Sequence, residues 1–177
     1  MTATYAITTA RPEDLWRLPA IELAAARLLE EYAPESVLSE TTSPDVLSQA
    51  QRAGHLWVAL AGDVPVGFAH VAVLDGNAAH LVEIDVHPDH GRRGLGARLV
   101  MHVCAWAASC GYESVTLTTF RDAPWNMPFY ARLGFSVLSP GQVPAGLRAV
   151  VDDEARRGLD PSRRVVMKRP SARETVE

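Results

Sequence analysis

Cysteine is scarce in this 177-residue chain, which carries only Cys104 and Cys110. They lie six apart within one helical pattern, which turns them about 600° around a helix, roughly 120° from each other. That geometry disfavours a disulfide, and a reducing cytoplasm is the expected setting. No run approaches the roughly 20 apolar residues that span a bilayer. The opening MTATYAITTARPED lacks the basic start and apolar run of a secretory signal. Six scattered histidines and the two cysteines show no metal-ligand spacing, so no metal is expected. Basic residues are not in excess: the net charge is −4, which argues against a nucleic-acid-binding face. No internal repeat, low-complexity tract or interdomain linker is found. One domain over 1–169 is therefore expected, with a disordered tail at 170–177.

What remains is a composition of 47% hydrophobic and 21% charged residues, that of an ordinary globular protein. Residues 4–9 read as a strand. From Pro12 to Glu31 the apolar residues recur at helical spacing, with a break or kink expected at Pro19. Ser43-Pro44-Asp45 supplies a cap, a proline and an early acid for a helix to Ala53, closed by Gly54. The period then changes to extended runs: strands at 55–61, 64–74 and 79–87, joined by turns at Gly62-Asp63 and Asp75-Gly76-Asn77. Gly94–Cys110 is the clearest helix, with Leu95, Leu99, Val103, Trp106 and Cys110 on one stripe. A strand at 114–120, a short helix at 125–133, a strand at 135–138, a helix at 144–157 and a strand at 163–168 follow. The pattern predicts an α+β domain: a mixed, mostly antiparallel sheet flanked by helices, with a strand–helix–strand crossover over 79–120.

Two segments carry chemistry. In Val86-His87-Pro88-Asp89-His90-Gly91-Arg92-Arg93-Gly94-Leu95-Gly96-Ala97, a strand ends, a loop brings two arginines, and a helix opens on glycines. Free amides and the helix dipole converge there on one spot suited to an anion. Glycine lets the backbone approach a phosphate, and Arg92 and Arg93 add charge-assisted donors. The Gly-Lys-Ser/Thr of a P-loop and the longer dinucleotide fingerprint are both missing. The second segment runs from Thr119 to Phe135. Its Asn126 and Tyr130 are four apart on one helix face, and the strand before it lies beside the strand that leads to the anion site. Either segment alone also fits a purely structural role.

Together they resemble the GNAT superfamily of acetyl-CoA-dependent N-acetyltransferases, with motifs at 79–97 and 119–135 and a matching order of elements over nearly the whole chain. The resemblance implies that acetyl-CoA is the cosubstrate, its pyrophosphate resting on Arg92, Arg93, Gly94, Leu95, Gly96 and Ala97. It further implies that the pantetheine runs between splayed strands at 84–86 and 114–119, along Ile84, with the thioester carbonyl near the Val86 backbone. Tyr130, before Leu133-Gly134-Phe135, matches the family's usual proton donor to the departing thiolate. Two positions depart from the family pattern. Gly91 stands where Gln or Arg is usual, and Ala123 stands where an asparagine is common; Asn126 is the nearby candidate for that cofactor contact.

An alkylamine acceptor has a pKa near 10.4 and must lose a proton before it attacks, so a base is expected. Glu83 is favoured, with His80 and Asp85 as alternatives. Glu83 and Asp85 share a face of a regular strand, and a bulge, frequent here in the family, would bring His80 to the same side. Residues 12–45 hold eight acids against two bases, a net −6. That segment suggests a cationic small-molecule or peptide amine as acceptor, with a solvated helix face as the alternative. Trp16, Tyr32 and Trp57 offer aromatic faces for a cation, or ordinary packing. Neither nucleic acid nor membrane is expected as a partner, and a homodimer is left open beside the monomer. A non-catalytic acyl-CoA-binding sensor is the competing function.

Overall fold

The computed structural model describes residues 4–74 and 77–171. Asp75 and Gly76 of the expected turn lie outside these residues, as does the predicted tail from 172 onward. Pro170, placed in that tail by the sequence, instead ends a strand.

Seven strands form one sheet in the order β1-β2-β3-β4-β5-β7-β6. These are β1 Tyr5–Thr9, β2 Leu56–Ala61, β3 Val64–Leu74, β4 Ala78–Val86, β5 Ser114–Phe120, β6 Ser136–Val137 and β7 Arg164–Pro170. Every neighbouring pair is antiparallel except β4 with β5. The parallel pair needs a crossover, and the helix α4 (Leu95–Ser109) supplies it. Its Leu95, Leu99, Val103 and Ala107 are buried with Trp57, Leu81, Leu117 and Met167 in the largest core cluster. On the opposite face, α1 (Leu18–Ala26) and α3 (Pro44–Ala53) bury Leu18, Ile21, Leu47 and Ala50 against Leu56, Val58 and Phe68. Two packed faces around one sheet explain why the strands at its centre read as continuous apolar runs.

Local chemistry fixes several boundaries. Ser43 caps α3 by accepting from Val46 N at 3.3 Å, and Gly54 closes it in the left-handed conformation, φ 73°. The expected break at Pro19 lies at a helix start: a 3-10 segment, Pro12–Arg17, precedes α1, and Pro19 occupies its first turn, where no amide partner is lost. The stripe predicted on α4 needs one correction, because Cys110 caps the helix and is exposed, while Cys104 is buried. A short helix α2, Glu35–Leu38, was not anticipated. Helices α5 (Asn126–Arg132) and α6 (Ala145–Arg156) follow the expected order.

Two irregularities shape the middle of the sheet. Along β3 and β4, His70 pairs with Glu83 but Val71 pairs with Leu81, leaving Val82 as an extra residue in a bulge. Between β4 and β5, pairing covers only Ala78–His80 against Ser114–Thr116. Beyond that the strands part, although β4 continues to Val86 and β5 to Phe120.

At Gly67 of β3 an added Cβ would stand 2.8 Å from the Asp85 carbonyl oxygen, a backbone atom that cannot step aside. Gly67→Ala should therefore cost about 1–3 kcal/mol, the usual range for overpacking. Urea unfolding checks this, and an unchanged midpoint would show that β3 and β4 can separate freely.

Candidate active site

At the end of β4 the chain turns through a 3-10 segment, Pro88–His90, into α4. Arg92 adopts φ 58° and Gly94 φ 74°, two left-handed residues that swing the backbone so that the first turn of α4 opens outward. The amides of Leu95, Gly96 and Ala97 have no acceptor inside the helix. Arg92 and Arg93 flank them in solvent. The Arg93 guanidinium lies 5.9 Å from the Tyr5 ring centre, and the Tyr5 hydroxyl is 3.0 Å from His90 Nδ1. Gly91 suits this loop, because a Cβ there would approach the Pro88 carbonyl oxygen to 3.1 Å. At Gly96 the nearest atom to an added Cβ is Phe129 Cζ at 3.5 Å, so the loop and α5 are neighbours. These features suit a phosphate-bearing ligand whose chain continues into the gap between β4 and β5.

The gap opens into a cavity of about 750 Å³. The bulge at Val82 decides what faces it. Ala79 and Leu81 point into the α4 core; the extra residue then sends Ile84 and Val86 to that side. His80, Glu83 and Asp85 consequently all line the cavity, where a regular strand would have separated them. Asn126 and Tyr130 line it from α5, as their spacing predicted. The Tyr130 ring is held edge-on by Phe129 and Phe135, with centroids 5.0 and 5.9 Å away.

Other polar groups on the wall were not singled out in the sequence. Arg164 of β7 donates to both oxygens of Glu154 on α6, at 3.1 and 3.0 Å, and to Thr118 Oγ1 at 3.0 Å. Thr118 in turn donates to Glu154. Glu22 of α1 accepts from Thr42 N at 3.0 and 2.8 Å and from Thr42 Oγ1 at 3.1 Å. Arg157 pairs with Glu40 across the cavity's edge. The pairings within this set carry no sequence signal, since the partners lie between 10 and 117 residues apart; only Glu22 and Glu40 were visible, as part of the acidic stretch at 12–45.

Burial raises the Glu83 pKa to about 7, with the charge of Glu22 adding to it. The Asp85 carboxyl is pushed well above its ordinary range by burial, then by Glu83 and Glu22. Such a pair of carboxylates holds a shared proton near neutrality. Burial, reinforced by Glu83 and Asp85, also raises the Tyr130 phenol, which stays protonated. His80 behaves differently. It is 3% exposed, bonded through Nδ1 to Thr116 Oγ1 at 3.0 Å, and burial lowers its pKa to about 4. It is a neutral, tethered imidazole and a poor competitor for the amine's proton.

Three aromatic candidates fare unevenly. Trp57 is 1% exposed in the α4 core. Tyr32 packs on Phe120 and Trp125. Trp16 is 71% exposed beside Arg17 on a separate groove. None lines the cavity. Of the eight acids at 12–45, only Glu22 and Glu40 do so; Glu30 and Glu35 pair with Arg27, and Asp14 with Arg11. Ala123, where the family often has asparagine, is buried with Phe120 and Leu159.

A family model described as Acetyltransferase (GNAT) family matches residues 24–135. The chain belongs to the GNAT acetyltransferase family. Solved structures agree on the fold. PaiA N-acetyltransferase from Thermoplasma acidophilum, crystallised with coenzyme A, superposes with a TM-score of 0.72 at 17% identity, covering 94% of this chain and 99% of that one. A GNAT-family acetyltransferase from Staphylococcus aureus gives 0.69 at 16% identity, covering 96% and 100%. N-acetylglutamate synthase from Neisseria gonorrhoeae, complexed with coenzyme A and N-acetylglutamate, gives 0.71 at 17%, covering 98% of this chain but 36% of that one. Within this GNAT fold the described residues contain no group of three or more His, Cys, Asp or Glu able to hold a metal, and no helix long and apolar enough to cross a membrane.

The raised pKa of Glu83 has a sign. Between the ordinary value of 4.5 and about 7 the folded chain binds the extra proton, so stability present below that window is lost as pH rises through it. His80 works oppositely: its contribution is lost as pH falls from 6.5 toward 4. Glu83→Gln should thus stabilise the protein at pH 8 by about 2 kcal/mol relative to pH 5, less than the full shift because water in the cavity screens the charge. Urea unfolding of both proteins at the two pH values measures it. An unaltered difference between wild type and variant would remove Glu83 as the source.

Proposed function

We propose that this GNAT-family chain moves the acetyl group from acetyl-CoA to a primary amine, with a small cationic amine as the preferred acceptor, by direct attack in the cytoplasm. The observation that carries this reading is the convergence of Glu83, Asp85 and Tyr130 on one cavity at the parting of β4 and β5. The coenzyme A complexes of the Thermoplasma and Neisseria proteins support acetyl-CoA as donor. In this reading its pyrophosphate lies on Arg92, Arg93 and the amides of Gly94, Leu95, Gly96 and Ala97. Its pantetheine passes Ile84 and Val86, and Asn126 contacts it from α5.

An ammonium entering the cavity gives a proton to Glu83, whose pKa near 7 suits a base at neutral pH. The freed nitrogen attacks the thioester carbonyl; a C–N bond forms, the nitrogen sheds its second proton to the Glu83–Asp85 pair, and the C–S bond breaks. Tyr130 donates its O–H toward the developing thiolate. Because its phenol is a weaker acid than a thiol, complete transfer is uphill unless a proton is returned as it leaves. The protonated Glu83–Asp85 pair is the nearby source for that return.

Tyr130→Phe should lower kcat by about 100-fold or more, with the Kd for acetyl-CoA changed less than about threefold. Thiol release and calorimetry measure the two quantities; wild-type turnover would remove Tyr130 from the chemistry. For the donor site, the double change Gly94→Val and Gly96→Val should abolish acetyl-CoA binding while circular dichroism keeps its native signature. Undiminished affinity in that folded variant would reassign the pyrophosphate site. Acetyl-CoA binding with no thiol release on any amine would favour the acyl-CoA sensor instead.

A further inference from the structure

The charges lining the cavity do not balance. Its carboxylates are Glu22, Glu40, Glu83, Asp85, Asp153 and Glu154, against the guanidinium groups of Arg157 and Arg164 and the neutral His80. Glu154 is neutralised by Arg164, Glu40 by Arg157 and Asp153 by Arg156 at 3.1 Å. Glu22, Glu83 and Asp85 remain with no cationic side chain bonded to them. They act on one another: the charge of Glu22 reaches both Glu83 and Asp85. Asp85 Oδ2 is inaccessible and has no hydrogen-bond partner. Leaving such an oxygen unpaired is costly; the proton that Asp85 shares with Glu83 is the one donor at hand, and an incoming ammonium would add another.

Glu22 is held ready rather than free to swing away. Three bonds from Thr42 fix its carboxylate, yet a carboxylate has about four acceptor sites, so capacity is left for one more donor. Ala26, Leu29, Val37, Leu38 and Val46 line the same cavity as Glu22 and the pair on β4, and supply it with hydrocarbon wall. One ammonium at Glu83 and Asp85 would leave Glu22 uncompensated. A ligand carboxylate would add a further like charge, and Arg164 already gives three N–H bonds to Glu154 and Thr118.

We infer that the acceptor is an aliphatic diamine, whose non-reacting ammonium is held by Glu22 while its other nitrogen meets Glu83 and Asp85. This rests on the acetyl-transfer reading above and narrows it: Glu22 selects the substrate and Glu83 activates it. The hydrocarbon wall receives the methylene spacer, and each end of the dication meets a carboxylate.

The test compares 1,4-diaminobutane with n-butylamine, equal in carbon chain and different by one ammonium, in wild type and Glu22→Gln. Thiol release gives kcat/KM, and calorimetry on the protein with coenzyme A gives affinity. A charge-assisted contact predicts that wild type favours the diamine by about 10–100-fold in both measurements. In Glu22→Gln that ratio should fall at least about tenfold, with the loss in KM rather than kcat, and the product from the diamine should carry one acetyl group. Equal kcat/KM for the two amines in wild type, or a ratio preserved in the variant, would overturn the inference while leaving acetyl transfer standing. Should neither amine release thiol, acetyl transfer to alkylamines falls, and calorimetry on wild type still decides: diamine binding tighter than butylamine supports the dication site, and equal affinity overturns it.

Discussion

Ladder hydrogen bonds between β4 and β5 stop at His80 and Thr116, and most of what this molecule can do follows from that break. Two parallel strands that stayed paired would present a closed sheet. Here β5 is instead held along its whole length by β7, and β4 by β3. Each strand keeps its outer partner while the inner edges diverge. The divergence exposes backbone in the middle of a buried sheet, which is tolerable only where a ligand or water meets those groups. The start of α4, proposed above as the pyrophosphate site, sits at one end of the opening and the carboxylate-lined cavity at the other, an arrangement that suits a donor and an acceptor approaching from opposite sides.

The bulge at Val82 is the second constraint. One extra residue changes the face of everything after it, and so joins Glu83 and Asp85 to His80 on the cavity wall. The result is a concentration of like charge: three carboxylates with no cationic side chain bonded to them, all with pKa values pushed upward by burial, and only the more distant charge of Arg157 acting against it at Glu22 and Glu83. In stability terms this arrangement is a loss near neutral pH. In chemical terms it keeps a proton acceptor poised near pH 7 beside a phenol that stays protonated. A fold selected only to be stable would place apolar residues there.

Much of the fold was legible in advance because its signals are local. Ser43, Pro44 and Gly54 bound α3 by capping chemistry that needs no tertiary context. The runs at 64–74 and 114–120 appear as strands with the predicted limits. The helix α2 was missed because four residues give too little periodicity to read. The exposed end at Cys110 was misjudged because a stripe continues in sequence after the helix has turned away from the core. The acidic stretch at 12–45 was visible as charge, but only the fold distinguishes Glu22 and Glu40, which enter the cavity, from Glu30 and Glu35, which pair outside with Arg27.

The sequence by itself determined the glycine-rich turn into α4, the shared helix face of Asn126 and Tyr130, and the order of strands and helices that marks the family. Each of these depends on residues a few positions apart, where spacing dictates geometry. Tertiary structure alone decided that His80 is a buried, tethered imidazole on the cavity wall with a lowered pKa. It also brought Glu22 to bear on Glu83, and bound Arg164 to Glu154 and Arg157 to Glu40. Those outcomes turn on a one-residue bulge and on contacts between elements distant in the chain. Electrostatic energy depends on distance and dielectric in space, and neither is written in the order of the residues.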